Sequence, residues 1–248
     1  MKLAAKTDIG SVRRENQDDY RAAQQSETEA WAVVCDGMGG ARGGKIASRV
    51  GCDSIQRYFA RHFAECTPGR ENVFLADVLQ YANSEIYAMA CKNPEMAGMG
   101  TTAVCALVRG GVVHLCHAGD SRAYLCRGDT LRQLTHDHSY VQELVDCGSI
   151  TQQEAEHHPK KNVITRALGV ERQVRPEYTA ETLAPGDVLL LCSDGLSNAV
   201  TAAQIQHILR ETPFYEAPDR LVEAANIGGG PDNITALLIG LESEVANG

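Results

Sequence analysis

The chain has no basic excess, no long apolar run and no C-x-x-C pair, and each absence removes a class of function. With 23 Lys and Arg against 32 Asp and Glu, its formal charge is −9 over 248 residues. No surplus of cations is available to displace counterions from a phosphate backbone, so nucleic acid is not expected as a partner. No apolar stretch approaches the ~18 residues that a membrane span needs. Residues 1–8 carry Lys2, Lys6 and Asp8 and lack the apolar region of an export signal. The expectation is a soluble cytoplasmic protein without membrane insertion. Nine cysteines, an odd number, form no zinc or redox spacing. Cys35, Cys105, Cys116, Cys126 and Cys192 instead lie in apolar strand-like runs, where reduced cysteine acts as a small hydrophobe.

A hydrophobic share of 44% is enough for a core. Short apolar runs at 31–35, 102–108, 112–117, 123–126, 188–192 and 234–239 read as strands. Helical spacing appears at Ile46, Val50, Ile55, Phe59 and Phe63, and again at Leu75, Val78, Ala82, Ile86 and Met89. Two shorter helices are expected around Ile205, Ile208 and Leu209 and around Leu221, Val222 and Ala225, separated by Pro213 and Pro218. Strands with hairpin-short connections, interrupted by paired helices, predict an α+β layered domain with mostly antiparallel pairing. The polar stretch 139–181 reads equally as a mobile flap or as a solvated connection.

Three aspartates share one setting: Asp36 in Cys35-Asp36-Gly37-Met38-Gly39-Gly40, Asp120 in Gly119-Asp120-Ser121-Arg122, and Asp194 in Ser193-Asp194-Gly195. Each is expected to close an apolar strand, whereas Asp232, in Pro231-Asp232-Asn233-Ile234-Thr235, opens one. A single Asp-Gly dipeptide usually marks a hairpin turn. Here no matched strand follows Gly37 or Gly195, and antiparallel pairing would gather the four carboxylates at one sheet edge. Like charges so close resist joint ionisation, and a bound cation relieves them. Oxygen ligands favour Mg2+ or Mn2+ over zinc.

These residues, with Thr7-Asp8-Ile9-Gly10, Arg13-Arg14-Glu15-Asn16-Gln17-Asp18, Gly100-Thr101-Thr102 and Thr135-His136-Asp137-His138, make nearly the whole chain resemble the metal-dependent type 2C (PPM) protein phosphatases, especially compact bacterial members. The resemblance implies one catalytic domain over residues 1–248, built as a four-layer α-β-β-α sandwich with two central sheets and a flap at about 139–181. It implies hydrolysis of phosphoserine and phosphothreonine in proteins, by a monomer opposing a serine/threonine kinase. Carried over by motif, it implies that Asp36 bridges two Mn2+ or Mg2+ ions, that the Gly37 carbonyl joins one of them, and that Asp194 and Asp232 hold the other. Asp18 would act through metal-bound water, Asp120 with Asp194 would mark a third metal position, and Arg13 would grip the phosphate. Two ions roughly 3.5 to 4 Å apart would acidify a water for in-line attack, without a phosphoenzyme.

The chain departs from the family pattern at Ala41 and Lys45, where histidine and glutamate are usual, and at Met38, where animal relatives have a histidine. Methionine cannot protonate the leaving alkoxide, so that proton falls to a second metal-bound water or to His158. Other patterns are decoys. Gly39 to Lys45 nearly spells a P-loop but fails at Ile46, where a hydroxyl is required. Cys116 to Arg122 and Cys126 to Arg132 both have the C-x5-R spacing of thiol phosphatases, but in strand-like surroundings that do not activate a thiol. His136 and His138 lack a third ligand nearby and read as structural. A silent phosphoprotein-binding module is the competing expectation, set back by the intact aspartate set.

Overall fold

The computed structural model describes residues 1–241, with the side chains of 40–42 excepted, so the expected domain end at 248 and the Ala41 departure lie outside the described residues. Two antiparallel sheets form the centre. The first holds β1 (Lys2–Asp8), β7 (Arg122–Arg127), β8 (Thr130–Gln133), β10 (Val188–Cys192) and β11 (Ile234–Gly240), in the order β1-β11-β10-β7-β8. The second holds β2 (Asp18–Gln24), β3 (Ala30–Met38), β5 (Ala103–Arg109), β6 (Val112–Ala118) and β9 (Glu177–Thr182), in the order β2-β3-β5-β6-β9, with the short β4 (Gly100–Thr101) paired to the end of β3.

Alternation along β3 explains the layering. Ala32 and Val34 turn inward with Val104, Ala106 and Leu115 to meet Leu125, Leu189, Leu191, Leu237 and Ile239 of the other sheet. Trp31, Val33 and Cys35 turn outward, under α1 (Gly40–His62) and α2 (Glu71–Lys92). Trp31 stacks on Phe59 with centroids 4.6 Å apart and rings within 7° of parallel. On the far side, α6 (Ala202–Glu211) and α7 (Ala217–Ile227) cover Leu190, Cys192, Ala236 and Leu238. The expected four-layer α-β-β-α sandwich is therefore present, because strands apolar on both faces must be covered on both.

Four helices and six strands fall where the sequence places them, with Pro218 inside the first turn of α7 instead of before it, as its missing N–H allows. β1, β2, β4, β8 and β9 were not anticipated. β9 alternates half-buried and exposed residues along a sheet edge, and β1 is only partly buried, so neither forms an apolar run. The stretch 139–181 is more structured than a bare connection. It contains α3 (Tyr140–Asp146), capped by Ser139, and α4 (Gln152–Glu156), opened by a capping box between Thr151 and Glu154, and it ends in β9. Its later part is tied to α2: Asn83 donates to the carbonyls of Glu171 and Arg172 and accepts from the Gly169 N–H, while Leu168 is buried completely.

Candidate active site

Six of the seven residues singled out from sequence, Arg13, Asp36, Gly37, Asp120, Asp194 and Asp232, line one cavity of about 560 Å3 at the end of the two sheets. The seventh, Asp18, sits behind its wall at 8% exposure. β2 and β3 pair so that Asp18 lies directly across from Asp36. The other sheet supplies Asp194, which follows β10, and Asp232, which precedes β11.

The strand-closing expectation is corrected in its details. β3 runs past Asp36 to Met38, with Gly37 opposite Thr101. Asp120 lies in the crossing from β6 to β7, which belong to different sheets. Asp194 opens α5 (Asp194–Ser197). The glycines following Asp36 and Asp194 serve close approach and not hairpins: a Cβ on Gly37 would lie 2.0 Å from the Gly44 carbonyl oxygen, and one on Gly195 would lie 2.0 Å from that of Asn233. The surrounding motifs hold the backbone. Thr102 Oγ1 accepts the Asp36 N–H at 3.0 Å and contacts Ser121 Oγ at 2.7 Å. Arg122 lays its fork on Asp137, with Nε 3.0 Å from both carboxylate oxygens. Asn233 Oδ1 accepts the Gln17 N–H, and its amide donates to the carbonyls of Ile9 and Glu15.

Carboxylates packed this way hold protons tightly. Burial, and then the charges of Asp18, Asp194, Asp120 and Asp232, push Asp36 well above the usual carboxylate range. Asp18 is pushed up to about 7, by burial first, against the pull of hydroxyls from Ser193 and Thr235. Burial and the charge of Asp194 push Asp120 up to about 7. Asp194 is raised by burial and by Asp232. Oδ1 of Asp18 and Oδ1 of Asp194 are buried without any hydrogen-bond partner. Orphaned anionic oxygens within a group of carboxylates are what a hard divalent cation satisfies, so the residues present fit Mg2+ or Mn2+. Arg13 reaches the same group, its Nη2 donating to Asp232 Oδ2 at 2.7 Å.

Several lining residues were not singled out from sequence. Asn162 and Ile164 come from the segment after α4, and Asn198, in the wall of the adjoining cavity, donates to Asp194 Oδ2 at 3.0 Å. A neighbouring cavity of about 700 Å3 shares Asp120, Asp194 and Asn162 with the first and is walled by Tyr124, Val141 and Lys161. His158 lines neither cavity; its Nδ1 accepts the Lys160 N–H at 3.1 Å. Both thiol decoys fail in place. Burial pushes Cys116 up to about 12 and raises Cys126, the reverse of an activated nucleophile.

His136 and His138 do not converge: the first binds Asp146, and the second stacks on His117 with centroids 4.6 Å apart and rings within 2° of parallel. His117, His138 and Glu177 bring possible ligand atoms within 4.8 Å of one another. Stacked parallel rings direct their in-plane lone pairs into separate planes that never meet, and Arg166 Nη1 stands 3.1 Å from His138 Nε2. As placed, this group is a hydrogen-bonded latch between β6, β9 and the two ends of the segment following β8.

Comparison with known proteins agrees with the geometry. The protein phosphatase 2C profile matches residues 11–225. The serine/threonine phosphatase stp of Listeria innocua is 38% identical over 235 residues, covering 94% of this chain and 93% of that protein. The crystal structure of serine/threonine phosphatase Stp1 from Staphylococcus aureus superposes with a TM-score of 0.91 at 34% identity, over 98% of this chain and 95% of that one. The catalytic domain of the phosphatase PstP, solved in complex with two manganese ions, superposes with a TM-score of 0.84 at 36% identity, over 98% of each chain. The chain belongs to the protein phosphatase 2C family.

Proposed function

We propose that this protein is a metal-dependent serine/threonine phosphatase that hydrolyses phosphoserine and phosphothreonine in other proteins. The observation that carries the reading is the convergence of Asp36, Asp120, Asp194 and Asp232 on one cavity, with partnerless buried oxygens on Asp18 and Asp194. Asp36, the Gly37 carbonyl, Asp194 and Asp232 would hold two Mn2+ or Mg2+ ions, a reading that the two manganese ions of the PstP structure support, and Asp120 with Asp194 would hold a third. The ions, when bound, supply Lewis acidity and an activated water.

The chain's own residues do the rest. Arg13, at the cavity mouth, offers a planar fork that matches two phosphoryl oxygens, and once Asp232 turns to a cation its guanidinium is free to do so. Met38 lines the cavity and donates no proton, and His158 stands outside it, so no side chain at either position serves as the acid. The cavity opens on solvent between the sheet ends and the segment carrying Asn162 and Ile164, which suits a side chain presented by a protein surface.

Because the site draws on both β1–β2 and β10–β11, we infer a single catalytic domain. We also infer action as a monomer in the cytoplasm against the marks of a serine/threonine kinase; the relatives' names, serine/threonine phosphatases, support the last of these, and among the described residues no helix is long and apolar enough to cross a membrane. Turnover of an aryl phosphate and of a phosphothreonine peptide, with Mn2+, with EDTA and after thiol alkylation, tests the reading. Activity is expected to require Mn2+, to survive alkylation, and to fall by orders of magnitude in Asp194→Ala; turnover indifferent to EDTA but abolished by alkylation would overturn it.

A further inference from the structure

We propose that Asn16, Thr7, Thr235 and Ser193 form a positioning brace that turns one oxygen of Asp18 toward the metal site. The proposal rests on the metal-dependent reading above and assigns work to residues outside the cavity. Oδ2 of Asp18 accepts two hydroxyls, Ser193 Oγ and Thr235 Oγ1, each at 2.7 Å. Oδ1 of the same carboxylate is buried and accepts nothing. One oxygen is held fast and the other is left for a ligand.

The direction of each bond follows from counting protons. A threonine hydroxyl has one, and that of Thr235 goes to Asp18. In the 2.8 Å contact between Thr7 Oγ1 and Thr235 Oγ1, Thr7 is therefore the donor. Thr7 Oγ1 in turn accepts from Asn16 Nδ2 at 2.8 Å. The other end of the Asn16 amide, Oδ1, accepts the backbone N–H of Asp18 at 3.1 Å. The bonds thus close a ring from the Asp18 backbone through Asn16, Thr7 and Thr235 to the Asp18 carboxylate. Ser193 is committed likewise, its oxygen accepting the Thr235 N–H at 3.0 Å.

The ring also crosses between the sheets. Asp18 begins β2 in one sheet, while Thr7 and Thr235 are direct cross-strand partners on β1 and β11 of the other. Valine has nearly the same shape as threonine and would fill these positions equally well for packing alone. Hydroxyls at 7 and 235 serve orientation, because a carboxylate free to rotate would exchange its two oxygens at the site.

Calorimetric titration of metal-free protein with Mn2+ tests the brace without relying on turnover. Thr235→Val is expected to weaken Mn2+ binding about tenfold, as loss of an outer partner of a metal site does, and Thr235→Ser to restore it. Thr7→Val, one link further out, should weaken binding in the same direction and provides a second reading should Thr235→Val fail to fold. In an Asp18→Asn background Thr235→Val should change nothing more, since its only route to the metal has been cut. Wild-type affinity in both valine variants, or an equal loss in the Asp18→Asn background, overturns the brace alone. Failure of the wild-type protein to bind Mn2+ overturns the phosphatase reading, and the brace with it.

Discussion

Removing the cations should make the fold sensitive to rising pH, and the size of that effect can be worked from Asp18. Burial moves its carboxyl from 3.8 to about 7. A raised acid keeps its proton in the folded state at pH values where the unfolded chain has lost it, so stability falls as pH climbs from about 4 to 7. A shift of this size corresponds to about 4 kcal/mol at pH 8, and Asp36 and Asp194 act in the same direction. For a chain of this length that is roughly 10 °C in melting temperature. Mn2+ should cancel the penalty, because it binds the ionised carboxylates of the folded state alone. Burial pushes His138 down to about 4, which works oppositely below pH 6.5, so the quantity to follow is the difference in melting temperature between Mn2+ and EDTA. Scanning calorimetry in both, from pH 5 to 8, should show that gap widening with pH. A gap that is constant, or that narrows toward pH 8, would refute the placement of buried carboxylates around a cation.

In saturating Mn2+ the buried histidines should dominate: His138, His117 and His114 are all lowered by burial, so stability is lost as pH falls below 6.5, and His138→Phe, which stacks but takes up no proton, should reduce that slope without abolishing it in thermal melts. Arg13→Ala should lower kcat/KM on a phosphopeptide by roughly ten- to a hundredfold, and Arg13→Lys should fail to restore it because a point charge lacks the fork. Gly195→Ala forces a Cβ onto the Asn233 carbonyl and should cost about 3 kcal/mol or more in a denaturant titration. Gly110→Ala, with φ +57 and open space around it, should cost only about 1 to 2 kcal/mol; equal losses in the two would mean that the close approach at Gly195 is unimportant.

What could be read from the sequence follows burial. β3, β5, β10 and β11 are covered on both faces and appear as apolar runs, whereas β1 and β9 are edge strands whose partial exposure leaves no such run. α3 spans 7 residues, too few for a helical period to show, although Thr151 and Glu154 spell the capping box that opens α4. The cavity residues were legible because glycine beside aspartate recurs, a signal of backbone forced into close approach. Asn162 and Ile164 carried no such mark. The roles of Thr7 and Thr235 depend on the register of β1 against β11, which only the folded chain displays.

That the acidic residues are scattered through the sequence is itself a consequence of the architecture. Asp18 and Asp36 come from adjacent strands of one sheet, and Asp194 and Asp232 flank adjacent strands of the other. No single strand end can present more than one or two carboxylates to a point in space, so a site needing several must be assembled where two sheets end together. The hydrophobic layer of Val34, Leu191 and Leu237 fixes the spacing of the sheets, and the ring through Asp18 ties them at the end that faces the cavity. Burial thus has two effects here. It supplies the packing that holds the carboxylates together against their repulsion, and it strips them of the water that would otherwise screen it, leaving a divalent cation as the group that completes the fold and the site together.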